Sequence, residues 1–166
     1  MAEPFVERPH MPEYGVDTPQ WRGLPWAWAA ERLERSRNLW VVTVSATGRP
    51  HALPVWGVWD DATPSFMFSC APHARKVADI EANPQVCVMA DDTVEVVSVE
   101  GHARRLTDDA TIDAWIERYL TKYTGEGVTA DFLRENAMFE VVPERAFGIV
   151  ERPEDFSNRA TRWRFP

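Results

Sequence analysis

A run of β-rich segments joined by short turns occupies residues 39–106. This run restricts the chain to a small number of folds. The segments are LWVVTVS (39–45), HALPVWGVWD (51–60), SFMFSC (65–70), QVCVMA (85–90) and VEVVSVEGHARRL (94–106), all rich in β-branched and aromatic residues. Successive antiparallel hairpins cannot leave their edges open, and closure into a barrel is the usual solution. We therefore predict a mainly β (α+β) fold, a small barrel of antiparallel strands with helices packed outside.

Helical patterns flank and interrupt this β region. They begin at Pro25, at Pro72, near Asp108 and at Thr129, while AMFEVVP and RAFGIVE (137–151) predict a last hairpin around Pro143-Glu144. The length of 166 residues fits one domain with a substantial core. We expect an irregular Pro-rich arm at 1–24, the barrel domain at 25–156, and a tail at 157–166 that docks near the functional site.

Composition excludes several classes of partner and site. The formal net charge of −8 argues against nucleic acid or an anionic membrane surface as the main partner. No segment has the length of a membrane span or the apolar core of a signal peptide, so we expect a cytoplasmic protein. Cys70 and Cys87 form no CxxC motif and no cluster with histidine, so no metal site is expected. A disulfide between them stays an open alternative.

The short helix after the third β segment begins with two cations. Arg75 and Lys76 lie in its first turn, where the helix dipole favours acidic residues. They are two of only eighteen cations in an acidic chain, and a solvated helix face is the simpler explanation. However, free N–H groups of a first turn also favour an anion, and Ser69 and His73 can add donors. We predict that a phosphate group binds there.

The second unusual stretch is HALPVWGVW. Pro54 lacks an N–H donor, so a break or bulge is expected, and backbone groups released there could pair with a planar heterocycle. Trp56 and Trp59 are predicted on opposite faces, with core or interface packing as the alternative. His51 is a weak candidate for an acid or base. The sequence shows no nucleophile elbow and no P-loop, so hydrolase and nucleotide-fold readings lack support.

The C-terminal RATRWRFP alternates arginine with large aromatic residues. Arg162 and Arg164 flank Trp163, Arg159 precedes them, and Phe165 follows Arg164. A solvated tail is one interpretation, and docking beside an anionic ring ligand is the other.

These stretches together resemble the pyridoxamine 5'-phosphate oxidase-like FMN-binding split β-barrel family. The similarity is strongest to its branch of flavin/deazaflavin (coenzyme F420)-dependent oxidoreductases, the B branch. It rests on GRPHALPVWGVWDD, FMFSCAPHARKVADIEANPQVCVMADD, VEGHARRLTD and the terminal TRWRF, covering roughly residues 28–110 and the tail.

The resemblance implies a dimeric split β-barrel, with two cofactor sites at the interface of a homodimer. It implies coenzyme F420 as the cofactor, with FMN as the alternative, and hydride transfer to a small conjugated organic acceptor, to which His51 or a water would add the proton. The ring would lie along the LPVW strand, SCAPHARK would hold the phosphate, and the tail would close the site, either in its own subunit or across the dimer. The implied cofactor-binding residues are Arg49, Pro54, Val55, Trp56, Ser69, Cys70, His73, Arg75, Lys76, Arg162 and Trp163.

Two other functions compete with this one. The first is an FMN-dependent oxidase or reductase on the same barrel, which would present the same phosphate to Arg75 and Lys76. The second is a non-catalytic carrier of a deazaflavin or of haem, for which His51, His73 and His102 are the candidate axial ligands.

Overall fold

The computed structural model describes residues 3–166, which form an antiparallel sheet of nine strands with five α-helices and one short 3-10 helix (Pro12–Tyr14). The first two residues of the predicted arm lie outside the described part. The strands are β1 (Phe5–Glu7), β2 (Leu39–Val44), β3 (Pro50–Val55), β4 (Gly57–Asp60), β5 (Ser65–Cys70), β6 (Gln85–Ala90), β7 (Glu95–Arg105), β8 (Ala137–Val150) and β9 (Thr161–Arg164). The helices are α1 (Trp26–Arg35), α2 (Arg75–Ala82), α3 (Asp109–Lys122), α4 (Ala130–Arg134) and α5 (Phe156–Arg159).

The strands form a barrel that is hydrogen-bonded in the order β4-β5-β8-β7-β6-β2-β3 and is unpaired between β3 and β4. β2 lies between β3 and β6, β6 pairs with β7, and β7 pairs with β8. β8 pairs along its first part with β5, which pairs with β4, and β4 continues the chain from β3. All pairs are antiparallel, and helices pack against the outside, so the predicted antiparallel barrel with flanking helices is confirmed.

The segment 51–60 forms two strands, which corrects the prediction of one continuous return strand. β3 pairs with β2, β4 pairs with β5, and Trp56 lies between them. Gly57 begins β4 against the neighbouring strand, where a Cβ would lie 2.2 Å from the Phe66 ring. Because the two halves pair with different neighbours, the barrel splits at this point, and the expected break falls at Trp56, two residues after Pro54.

The predicted hairpin around Pro143-Glu144 is wrong, because β8 runs through both residues as one 14-residue strand. The register of β7 against β8 shifts between Glu100 and Gly101, and Gly101 lies opposite Pro143. A bulge of this kind accommodates a residue that cannot donate to the ladder. A Cβ on Gly101 would lie 2.1 Å from the Val142 carbonyl oxygen, so the close approach requires glycine.

Two apolar clusters hold the elements together. The larger fills the barrel and the underside of α1, and includes Leu33, Leu39, Phe66 and Phe68, all fully buried. The smaller lies between the barrel and the helices α3 and α4, around Met67, Trp115, Tyr119 and Leu133. Side chains at alternate strand positions point inward, as expected for one buried face of a sheet.

The N-terminal residues are more ordered than the irregular arm that was expected. β1 pairs with β9, so the two ends of the chain share a ladder. Val16 and Leu24 are buried, and the Trp21 indole donates to the Ala160 carbonyl oxygen at 2.8 Å. The N-terminal segment and the C-terminal strand thus pack as one layer at the end of the sheet.

The outer surface of β2 and β6 is apolar. Trp40 is 38% exposed, and it stands beside Met89 on β6. Val42 stands beside Cys87 in the same ladder, and these side chains are only half-buried. Among the helices of the described residues, none has the length and apolar character needed to cross a membrane.

Candidate functional site

The predicted phosphate site lies where α2 follows β5. The helix starts at Arg75 after Ala74, which has no side-chain acceptor, and no side chain caps the first turn. The Val77 N–H donates to the Ala74 carbonyl oxygen at 2.9 Å, so the N–H groups of Arg75 and Lys76 are the ones that retain hydrogen-bonding capacity for an anion. Ser69 and Cys70 end β5 as half-buried residues, and His73 is exposed in the linker.

Lys76 is the most unusual cation of this region. Only 7% of it is exposed, yet within residues 3–166 no carboxylate oxygen lies within 4.0 Å of its ammonium nitrogen. Its nitrogen is not among the fully buried polar atoms that lack a partner, so the aliphatic stem is buried while the ammonium group reaches the surface. A ligand carrying negative charge would compensate this charge, so the chemistry of this pocket fits a phosphate group.

Arg75 differs from its neighbour because it already faces an acid. Its Nε lies 3.7 Å from Oδ2 of Asp79, which is buried and one turn along α2. The same carboxylate accepts a hydrogen bond from Thr43 Oγ1 at 2.8 Å and lies 4.0 Å from Nδ1 of His51. Asp79 thereby ties α2 to β2 and β3 and partly neutralises Arg75.

The strand β3 leaves one backbone edge unpaired beside this helix. The backbone nitrogens of Pro50, Ala52 and Pro54 face away from β2. Prolines are tolerated at such positions because no donor to the ladder is needed there. Leu53 is 45% exposed. Ala52 and Pro54 are exposed as well, whereas Val55 is buried, so the part of this edge open to a planar ligand lies at residues 52–54.

The Trp56 side chain packs against other residues of the same chain. Its ring stacks on Tyr123 with a centroid distance of 4.8 Å and an interplanar angle of 6°, and the Arg37 guanidinium lies 4.9 Å from the Trp56 centroid. The Tyr123 hydroxyl accepts from the Gly57 N–H at 2.9 Å. These contacts fix the split between β3 and β4 and engage the Trp56 ring within the chain, although the residue is only half-buried.

The tail residues lie far from this place in the sheet. β9 is separated from β3 by four strands in the sheet order. Trp163 is fully buried and packs edge-on against Trp26 with centroids 5.5 Å apart, so its ring presents no surface to a ligand. Arg162 is exposed on β9, and Arg49 is exposed in the β2–β3 turn. Within one chain, α2 and β3 converge and the tail does not join them.

Arg105 lies at the candidate site, although it was not predicted from the sequence as a binding residue. It ends β7, and together with Lys76 it favours the thiolate of Cys70, although burial is the larger effect and raises the pKa of that thiol. It also faces Glu81 of α2 at 3.6 Å. Only the β7–β8–β5 register brings Arg105 near Cys70, so no local pattern could have indicated it.

The cysteines show no metal-binding or disulfide arrangement. Both are free thiols, and burial together with Glu100 raises the pKa of Cys87 to about 11. Within the described part of the chain, no group of three or more His, Cys, Asp or Glu side chains could hold a metal ion.

Comparison with known families gives one match by sequence. The family described as pyridoxamine 5'-phosphate oxidase matches residues 27–149, which is most of the chain. No curated protein gives a significant match.

Solved structures share the fold at low sequence identity. An F420 reductase is 21% identical with a TM-score of 0.57, and the match covers 70% of this chain and 93% of that one. The heme storage protein HutZ from Vibrio cholerae is 20% identical with a TM-score of 0.57, covering 69% and 86%. The conserved hypothetical protein Rv2991 from Mycobacterium tuberculosis is 18% identical with a TM-score of 0.66, covering 81% and 89%.

Proposed function

The chain belongs to the pyridoxamine 5'-phosphate oxidase family, and on that basis we propose that it is a deazaflavin (coenzyme F420)-dependent oxidoreductase acting on a small conjugated organic acceptor. The observation that carries the proposal is Lys76, whose side chain is largely buried and whose ammonium group has no carboxylate of residues 3–166 within 4.0 Å. Both coenzyme F420 and FMN carry a phosphate that would supply the missing charge. The similarity to an F420 reductase favours the deazaflavin.

The residues of this chain would divide the work of binding. Lys76, Arg75 and the first-turn N–H groups of α2 would hold the phosphate, and Ser69 would add a hydroxyl donor. The open edge of β3 would receive the ring. Arg105 and Arg49 are the exposed cations available to the acidic tail of coenzyme F420.

Few catalytic side chains are needed for this chemistry. When bound, a reduced deazaflavin supplies the hydride, and the protein must orient the acceptor and exclude water. His51 is the candidate for holding a proton, because Asp79 faces its Nδ1 and leaves Nε2 for the acceptor. His51 is partly buried, with 22% of its side chain exposed.

A binding titration tests the proposal. Apo-protein is titrated with coenzyme F420 and with FMN, and Kd is measured for wild type, Lys76→Met and Arg75→Ala. A hydrogen bond to a charged group is worth about 1.5–3 kcal/mol, so we expect Lys76→Met to weaken binding roughly 10- to 150-fold. We expect a smaller loss for Arg75→Ala, because Asp79 already engages that guanidinium.

Arg22→Ala is the matched control, since Arg22 donates only to backbone oxygens of the N-terminal segment. Circular dichroism verifies that each variant is folded. Unchanged affinity of folded Lys76→Met for both cofactors would contradict the proposal. Tighter binding of FMN than of coenzyme F420, with oxidase activity, would favour the FMN alternative.

A second candidate function is haem carriage, which the fold similarity to HutZ favours. In this chain the partly buried His51 is the best-placed axial ligand, since His73 is exposed and His102 faces Glu144 at 3.2 Å. A haem titration that gives a sharp Soret band in wild type and loses it in His51→Ala would support this function. Absence of such a band would leave the oxidoreductase.

We also propose that the protein is a homodimer through the apolar outer surface of β2 and β6. A shallow cavity of about 310 Å³ there is lined by Val42, Val44, Val86 and Cys87, among others. Exposed apolar patches of this kind on a sheet are typical of protein–protein interfaces. A partner on this surface would lie beside β3 and its open edge.

A further inference from the structure

A second cavity lies away from α2 and β3, between α1, β4 and α3. It measures about 500 Å³, and its lining includes Glu34, Val58, Trp59, Glu117, Arg118 and Lys122. None of these residues was predicted to bind the cofactor, and none touches the network around Asp79. The floor is apolar, formed by β4, and the rim carries charged side chains from both helices.

Lys122 is the one amine in this cavity. It is half-buried, and its Nζ donates a hydrogen bond to the Gly57 carbonyl oxygen at 2.9 Å. Within residues 3–166 no carboxylate oxygen lies within 4.0 Å of this nitrogen. A single bond to a carbonyl orients the amine through one N–H, so the deprotonated form keeps its lone pair free.

The carboxyl group that shares the cavity is also unpaired. Within the described chain Glu34 has no cation within 4.0 Å. Burial is the main reason that its pKa is raised, Asp61 and Asp60 raise it further, and the charge of Lys122 acts in the opposite direction. Arg118 is engaged elsewhere, because it donates to Asp60 at 2.6 Å. The cavity thus holds an amine and a carboxyl group that do not neutralise each other.

We propose that Lys122 is a carbonyl-reactive amine and that this cavity accepts a small aldehyde, seated against Val58 and Trp59, with Glu34 as the proton donor. The neutral nitrogen attacks the carbonyl carbon, and one proton moves from that nitrogen to the carbonyl oxygen to give a carbinolamine. Glu34 protonates the hydroxyl group, which leaves as water, and the Glu34 carboxylate then takes back the remaining proton of the nitrogen. The product is an imine, formed without an oxidant or reductant and reversed by water.

The protonation state of the amine agrees with this chemistry. Burial lowers the pKa of Lys122 to about 8, against the opposing effect of Glu34. The other charged or titratable groups around it are Glu117, Arg118, Asp60, Asp61 and the Tyr123 ring, whose centroid lies 5.5 Å from Nζ. The neutral fraction of the amine therefore rises as the pH increases through about 8.

Reductive trapping tests the proposal on the wild-type protein. Benzaldehyde and cyanoborohydride are added at neutral pH together with Nα-acetyl-lysine amide as a competitor, and adducts are mapped by peptide mass spectrometry. The chain has only Lys76 and Lys122, so each adduct is assigned directly. Because an ordinary lysine has a pKa near 10.4, we expect Lys122 to label at least about tenfold faster than the competitor.

Two variants and a denatured sample complete the test. Glu34→Gln should slow the labelling of Lys122 severalfold, whereas Glu31→Gln on the same helix, which does not line the cavity, should not. Lys122→Arg keeps a cation that can donate to Gly57 and should abolish the adduct. In denaturant Lys122 should label no faster than the competitor. Labelling of native Lys122 at the competitor's rate would overturn the proposal, whatever the outcome of the cofactor titrations.

Discussion

A single carboxylate, Asp61, holds two tryptophans of the core. Its Oδ1 accepts from the Trp26 indole at 2.7 Å and lies 3.4 Å from the Trp59 indole nitrogen. The two rings pack with centroids 5.8 Å apart. A side chain that satisfies buried donors of two elements stabilises both, because each donor would otherwise lose its partner.

We predict that Asp61→Ala destabilises the fold by about 1–3 kcal/mol, since part-buried indole N–H groups are left without an acceptor. Asp61→Asn keeps an oxygen at the same position and should cost less. Urea unfolding followed by tryptophan fluorescence measures both. Equal stability of Asp61→Ala and wild type would show that water replaces the carboxylate.

The bulge residue Gly101 gives a second prediction at this scale. Gly101→Ala places a methyl group against the Val142 carbonyl oxygen, so the β7–β8 ladder must move. We expect a loss of roughly 2–4 kcal/mol, by analogy with overpacked cores. Gly125→Ala is the control, because its Cβ meets open space and carries only the strain of φ +85, about 1 kcal/mol. Equal losses would contradict the steric argument.

Among the elements, α3 has the clearest start. Its cap Asp108 accepts hydrogen bonds from the Thr111 hydroxyl and from the Thr111 N–H, and these lower the pKa of the Asp108 carboxyl group. Because the folded pKa lies below the unfolded value of about 3.9, the stabilisation is present above that pH and is lost as the pH falls through the folded pKa.

We therefore predict that Asp108→Ala lowers stability at neutral pH, and that its difference from wild type shrinks as the pH falls below about 4. Urea unfolding midpoints measured across that range test this. Asp109→Ala, one residue further along the helix, is the control. A difference that persisted unchanged at acidic pH would mean that the carboxylate does not cap the helix.

Local patterns predicted most elements, and long-range pairing decided the rest. The strand at 85–90, the start of α3 near Asp108 and the Thr129 cap follow from residue preference and turn chemistry. Pro143-Glu144 is also a good turn by local chemistry, and only the opposing Gly101 makes a continuous strand possible. Pro54 indicated a break near residues 56–57, but the pairing of β3 and β4 with different strands depends on long-range contacts that no local signal encodes.

The candidate site also has some features that local sequence predicted and others that depend on long-range packing. The first-turn position of Arg75 and Lys76 could be read from the sequence, because it depends on where one helix begins. The contact of Arg75 with Asp79, the proximity of Arg105 to Cys70 and the burial of Trp163 depend on tertiary packing. Sequence alone could not show that Lys76 is the more important phosphate ligand of the two, since Lys76 and Arg75 are both cations of the same turn.

For the whole molecule, the outer surface of β2 and β6 gives the sharpest prediction. Trp40→Glu places a charge in the apolar patch beside Met89, and a like charge on the partner would oppose association. We expect the dimer to dissociate to monomer in sedimentation velocity at micromolar concentration. Phe132→Glu is the control, because that side chain is 56% exposed on α4, away from the patch. A monomeric wild type would refute the dimer.

The prolines of β3 have a consequence for how the protein behaves in concentrated solution. An open strand edge normally invites a second molecule to add a strand, and repeated addition grows fibrils. On β3, two of the three outward-facing backbone nitrogens belong to Pro50 and Pro54, which leaves Ala52 as the lone donor. That edge can bind a flat molecule that needs one or two hydrogen bonds. It cannot form the continuous row of backbone hydrogen bonds on which fibril growth depends.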